Sequence, residues 1–370
     1  MRTILVLALA SAALAASATA RPGSAGKAAE PTRERISRYF EGWYSFCPET
    51  KVTVSPVAEV KLAGFETYRV ERSCSLKNRN DMSITLFDPA KDELFVGEFL
   101  HDDTRKGRPF SAAADVPILE GILKDAYGVP VSIEVGKESR GPLKSFLAKL
   151  QLAEGATAPV TGFVSEDGAT LLLGRFRPLA VPPDELRRKL LAESPGVRPR
   201  EGKYYVTAFV DFQCERCRQR APQIADFAWT HGGGAMEYRF LPMIKVHNWA
   251  FAAAETAAAL ANVSPALYAR YEQTVFPQAA SMTPESVRQA GADVAEAAGV
   301  GPAFRQELSS GRARQRVARD VGLAMSLGLN GTPVFFYEGT FLASDTGVAE
   351  NYIDGRLRPA APSADSSGRP

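Results

Sequence analysis

The order of apolar and polar positions divides the chain into unlike parts. The run KYYVTAFVDFQ (203–213) is largely apolar and rich in β-branched and aromatic residues, which predicts a central strand. Immediately after it the period turns helical, through Cys217, Ala221, Ile224, Ala225 and Ala228, and Pro222 is expected to kink that helix. Strands are predicted at 236–243 and 333–337. The long segment between them is mostly helical and broken at Thr283-Pro284 and Gly299–Pro302. Upstream, a helical pattern at Arg35–Phe46 precedes the alternating KVTVSP, and another at Ile118–Tyr127 precedes PVSIEV. The segment LFDPAKDELFVGEF (86–99) resembles FVSEDGATLLLGRF (163–176). Both read as a short strand, an acidic turn, an apolar strand, then Gly, a charge and Phe. The offset is 79 residues between KVTVSP and PVSIEV and 77 at the glycine, which favours a tandem α+β repeat over two unrelated hairpins.

The rest of the pattern sets boundaries. MRTILVLALASAALAASATA has a charged start, an apolar centre and small residues at its end. That reads as a signal peptide over 1–20, cleaved near Ala20, and not as a membrane anchor. Residues 21–32 are small and polar, as in a flexible leader, and 355–370 are low in complexity, as in a disordered tail. Asp184–Glu193 reads as a connecting helix, and ESPGVRPREGK (193–203) as a linker. The expected order is two α+β units at 33–105 and 106–182, a connecting segment at 183–202 and a further domain at 203–354.

Composition narrows the function. Apolar residues make up 45% of the 370, charged residues 23%, and the net charge is only +2. That is a globular balance, with no electrostatic ground for a nucleic-acid or acidic-membrane partner. Export would place the mature chain, without a membrane span, in an oxidising compartment. Its four cysteines, Cys47, Cys74, Cys214 and Cys217, suit two bridges. Their spacing is unlike paired zinc knuckles, so no metal and no cofactor is expected. Cys47 and Cys74 both fall in the first α+β unit and have no counterpart in the second. A structural disulfide between them would close a loop of about 28 residues and stabilise by ~3 kcal/mol. Independent thiols are the alternative.

Cys214 and Cys217 fall at a strand-to-helix turn. Free N–H groups and the helix dipole there favour a thiolate at Cys214. Cys217, one turn further in, is placed to attack a mixed disulfide formed at Cys214. Far downstream, Thr332-Pro333 opens an apolar strand, where a proline's missing N–H costs nothing.

The motifs FVDFQCERC, YRFLPMIKVHNWAFAAAETAAA and GLNGTPVFFYEG, within 203–354, resemble the DsbA-like branch of the thioredoxin superfamily. The resemblance implies an α/β thioredoxin fold with a helical insertion. It also implies a nucleophile at Cys214, a resolving thiol at Cys217, a cis-proline at Pro333 and a substrate-facing Thr332. His247 falls in a His-x-x-Ala pattern of that family and is expected to be structural. The departure lies at Glu215-Arg216: Arg216 is expected to favour the Cys214 thiolate and Glu215 to oppose it. The N-terminal region is similar, more loosely, to the cystatin-like domain of DsbC-type isomerases. The activity implied is thiol:disulfide exchange with cysteine-containing exported proteins, served by an unidentified redox partner. A disulfide isomerase is the alternative, as is a copper-binding thioredoxin-like chaperone of another class. A monomer is favoured over a homodimer, because two units in one chain can pair with each other.

Overall fold

The computed structural model describes residues 31–43, 50–74, 79–102, 104, 108–342 and 348–357. The expected signal peptide and most of the expected leader and tail lie outside them, and the last leader residue, Thr32, is the first of a helix.

The N-terminal region is one eight-stranded antiparallel sheet made of two similar halves. The first half is α1 (Thr32–Trp43), then β1 (Lys51–Pro56), β2 (Glu66–Cys74), β3 (Arg79–Asp88) and β4 (Glu93–His101). The second is α2 (Ala112–Tyr127), then β5 (Val131–Arg140), β6 (Leu143–Ala153), β7 (Ala156–Ser165) and β8 (Thr170–Pro178). The strand order is β1-β2-β3-β4-β8-β7-β6-β5, so each half is a meander and the last strands pair at the centre. Gly97 lies opposite Gly174 in that pair. Both glycines have positive φ, +154° and +149°. A Cβ on either would run into the backbone of the opposing strand. Only glycine lets the two strands come this close.

Each half buries a helix on its sheet. In α1, Ile36, Tyr39, Phe40 and Trp43 recur at helical spacing and pack with Val70, Phe87, Leu94 and Val96. In α2, Leu119 and Leu123 do the same against Phe146 and Val160. This second helix starts six residues before the predicted Ile118. Its Ala-rich first turn carries no apolar period, and Pro117 reads as a boundary although the helix runs through it. The first helix ends its described course at Trp43, short of the predicted Phe46, and 44–49 lie outside the described residues.

The connecting helix α3 (Pro183–Glu193) leads into the second sheet. Residues after it are not a free linker. Val197, 2% exposed, forms an antiparallel bridge with Tyr238, its N–H donating to the Tyr238 carbonyl at 2.8 Å and its carbonyl accepting at 2.7 Å. Arg198 Nε donates to Glu237 at 2.7 Å. The prolines and glycines there suppress regular structure without preventing an apolar residue from docking on a sheet edge.

The C-terminal domain comprises β9 (Tyr205–Val210), α4 (Glu215–Thr230), β10 (Ala235–Phe240), α5 (Ala250–Val263), α6 (Ala266–Val275), α7 (Pro284–Ala297), α8 (Gly301–Ser309), α9 (Arg312–Ser326), β11 (Val334–Tyr337), β12 (Thr340–Leu342) and α10 (Val348–Leu357). Its sheet has the order β10-β9-β11-β12, with β10 parallel and β11 antiparallel to the central β9. A βαβ unit and a β-hairpin thus flank one strand, and α5 to α9 form the predicted insertion. α5 is alanine-rich and buried along most of its length, which lets neighbouring helices approach closely. Thr283 caps α7 by accepting the Ser286 N–H at 3.2 Å, while Ser286 Oγ accepts the Thr283 N–H at 2.8 Å. β10 stops at Phe240, short of the predicted 243, since Pro242 has no N–H to continue a ladder. α4 continues through Pro222 to Thr230.

Two contacts fix the N-terminal sheet to this domain. Leu119, Leu123, Val129 and Phe146 belong to the same buried cluster as Val206, Phe212 and Cys217. In α3, Arg187, 1% exposed, donates to the carbonyls of Gly339 (2.6 Å), Trp43 (2.8 Å) and Gly42 (2.8 Å). One guanidinium so ties α1 to the β11–β12 turn.

Candidate active site

β9 delivers the chain to a turn at Asp211–Gln213. Phe212, 2% exposed, pins this turn among Tyr268, Tyr271 and Phe276, its ring 5.4–5.7 Å from theirs. Cys214 then takes the N-cap position of α4, half-buried, and Cys217 follows one turn in, 1% exposed. Both are free thiols. The Cys214 N–H donates to the Asp211 carbonyl at 3.2 Å. The Asp211 N–H points at Cys217 Sγ, 3.4 Å away. The loop before β11 closes the other side. The Thr332–Pro333 peptide is cis, and Cys214 Sγ lies 3.5 Å from the Thr332 carbonyl oxygen. Pro333 is buried and Thr332 half-buried.

The two thiols are driven apart in acidity. Hydrogen bonding from the Cys217 thiol, more than any other contact, pulls Cys214 down to about 5, and the Cys217 N–H and Thr332 add to it. Burial and the charge of Asp211 act in the opposite sense. Cys217 is pushed up, first by burial and then by the Cys214 sulfur beside it. Glu215 and Arg216, expected from sequence to tune the thiolate, are both exposed. Glu215 turns along the helix to accept from Gln219 at 3.0 Å, and the acidic charge acting on Cys214 is that of Asp211.

Several contributing residues escape a sequence reading. Asp211 is almost wholly buried, and its carboxylate accepts from the Gln213 N–H (2.7 Å), the Met243 N–H (2.8 Å) and the His247 ring (2.7 Å). The Gln213 side chain spans to Asn248 Oδ1 (3.1 Å) and the Trp249 N–H (3.0 Å). Arg218 holds the turn by donating to the Gln213 carbonyl at 2.6 Å. The available signal was a carboxylate ending an apolar strand, three residues before a cysteine.

Cys74 is disulfide-bonded and closes β2, on the other sheet from Cys214 and Cys217. Cys47 lies outside the described residues. The second N-terminal unit reaches the rim of the site, where Gly128, at the end of α2, lies against Lys245 of the loop 241–249.

A four-stranded sheet with a cysteine pair at the start of α4, a proline loop facing it and a helical insertion defines the thioredoxin class. Residues 200–353 match the thioredoxin family model. This part of the chain has a thioredoxin-like fold. Among curated proteins, the Na(+)/H(+) antiporter NhaA 3 of Salinispora tropica is 28% identical over 171 residues, 44% of this chain and 25% of that protein. The chain therefore spans only about a quarter of that relative's length. Among the described residues no helix is long and apolar enough to cross a membrane. Among solved structures, the thiol-disulfide exchange protein alpha-DsbA2 of Wolbachia pipientis is 16% identical, with a TM-score of 0.36, covering 47% of this chain and 95% of its own. A periplasmic thioredoxin-like protein of Salmonella enterica serovar Typhimurium is 19% identical, with a TM-score of 0.37, covering 46% and 96%.

Proposed function

We propose that this chain is an exported thiol:disulfide oxidoreductase working on cysteine-containing exported proteins, with residues 1–20 as its export signal. Cys214 is the nucleophile and Cys217 the resolving thiol. With the pair oxidised, a substrate thiolate attacks Cys214 Sγ, forms a mixed disulfide and expels the Cys217 thiolate, which takes up a proton. A second substrate thiolate then attacks the substrate sulfur of that mixed disulfide and expels the Cys214 thiolate. The substrate leaves oxidised by two electrons and the cysteine pair is left reduced. A separate redox partner must return the pair to the disulfide.

The observation that carries this reading is the placement of Cys214, a half-buried thiol at a helix N-terminus whose thiolate is stabilised by Cys217 beneath it. A good leaving group at Cys214 also sets the direction. Stabilising the thiolate stabilises the reduced pair, which makes the disulfide the stronger oxidant. Equilibration with glutathione tests this, and a potential on the oxidising side of about −200 mV is expected. A value near that of a thioredoxin reductant, about −270 mV, would reverse the direction. The variant Cys214→Ser is expected to abolish exchange. Efficient rescue of a scrambled multi-disulfide substrate would instead favour an isomerase.

A further inference from the structure

We infer that Asp211 and His247 form a compensated pair that sets the reactivity of Cys214, with His247 a positioning residue acting through Asp211. This rests on the reading of Cys214 as the nucleophile.

Asp211 is joined to both cysteines by its backbone. Its carbonyl accepts from the Cys214 N–H and its own N–H faces Cys217 Sγ. Its carboxylate, with no side-chain exposure, is a negative charge held under the cysteine turn. Such a charge opposes a second one at Cys214, as the acidity of that thiol registers. Two backbone donors, Gln213 N–H and Met243 N–H, are fixed by the fold. The third donor is the His247 ring, at 2.7 Å, and it is the one side chain of the set and the one that can carry a positive charge. His247 is 25% exposed, so one edge of its ring reaches solvent. The loop carrying it is tied to the active-site turn again through Gln213, Asn248 and Trp249. Other ionisable groups facing the turn include Arg218 of α4, committed to the Phe212 and Gln213 carbonyls, and Tyr268 of α6 near Cys217, while Lys245 in the same loop is exposed and lies against Gly128. In this arrangement His247 does not touch substrate. It withdraws Asp211 charge that would otherwise bear on the thiolate.

A double-mutant cycle read on the thiol itself tests the pair, independently of any exchange activity. The thiolate of the reduced full chain is titrated by its absorbance and by alkylation of Cys214. His247→Ala is expected to lower the alkylation rate below the midpoint by about threefold or more, the equivalent of half a pH unit or more upward. Asp211→Asn is expected to raise it. In the Asp211→Asn background the His247→Ala effect is expected to vanish, which loosening of the loop alone would not produce. Should Asp211→Asn fail to fold, His247→Gln, which keeps a donor for Asp211, is expected to recover at least half of the lost rate. A change below threefold, one of equal size in both backgrounds, or no recovery in His247→Gln would overturn the inference. Loss of exchange activity in Cys214→Ser bears on the functional reading alone.

Discussion

Cys214 and Cys217 are neighbours whose acidities diverge, and pH separates them. With Cys214 at about 5, its thiolate dominates through the neutral range while Cys217 stays protonated. Alkylation of the reduced protein is expected to rise through a midpoint near that value and then level off, with peptide mapping finding the label on Cys214. The sign for stability follows. The folded value of Cys214 lies below the ordinary thiol value, so the reduced fold gains stability that is full above the unfolded value and is lost as pH falls through the folded one. The oxidised form has no such term. Urea unfolding is therefore expected to show the reduced form losing ground to the oxidised form as pH drops toward 5. At this scale the cysteine pair was legible from its place between a strand and a helical period. The groups acting on it were not. Glu215 and Arg216 adjoin Cys214 in sequence, but the helix turns about 100° per residue and carries both side chains outward. Asp211 reaches Cys217 Sγ through its backbone N–H, a proximity no local pattern encodes, whereas Thr332 was placed at the site by the family resemblance and lies 3.5 Å from Cys214 Sγ.

Among the elements, the junction of β4 and β8 carries the most stringent requirement. A side chain at Gly97 or Gly174 meets opposing backbone, which cannot give way as a flexible side chain can. Both also have positive φ, which L residues adopt at a cost. Gly97→Ala and Gly174→Ala are each expected to destabilise by about 1–3 kcal/mol or more, measured by urea unfolding. The equivalent change at Gly121, in α2 with open space around it, is expected to be neutral or stabilising. The matching Gly-charged-Phe segments were visible in sequence at a constant offset. That their glycines face each other was not, since periodicity reports which residues share a face and not which strands pair. The same limit hid the docking of Val197 on β10, because a Pro/Gly-rich stretch reads as a connection whether or not it is held.

In the whole molecule, Arg187 is the point where three parts meet. It satisfies carbonyls from the end of α1 and from the β11–β12 turn while sitting in α3, and its guanidinium lies over Trp43 and Phe336 at 5.4 and 5.6 Å. Arg187→Ala leaves these carbonyls, two of them on buried residues, without that donor and is expected to cost on the order of 3 kcal/mol, read as a lower thermal midpoint with the Cys214 titration unchanged. The last strands of the two N-terminal units are spent on each other, so the chain closes its central sheet junction internally. Light scattering on the mature protein is expected to find a monomer, and a stable dimer joined through residues 33–192 would contradict this.

The contact between Gly128 and Lys245 has a consequence for the molecules that come to the site. The loop that carries Lys245 also carries His247, Asn248 and Trp249, and it is braced from behind by α2 as well as from the front by Gln213. A socket held from two sides gives little when something enters it. The bending needed to bring two sulfurs into line then falls on the visitor, and a chain still unfolded bends at far less cost than a finished domain. Under the proposed function, a cysteine-containing protein is therefore expected to exchange with Cys214 faster while unfolded than after it has folded, as read by the rate of mixed-disulfide formation.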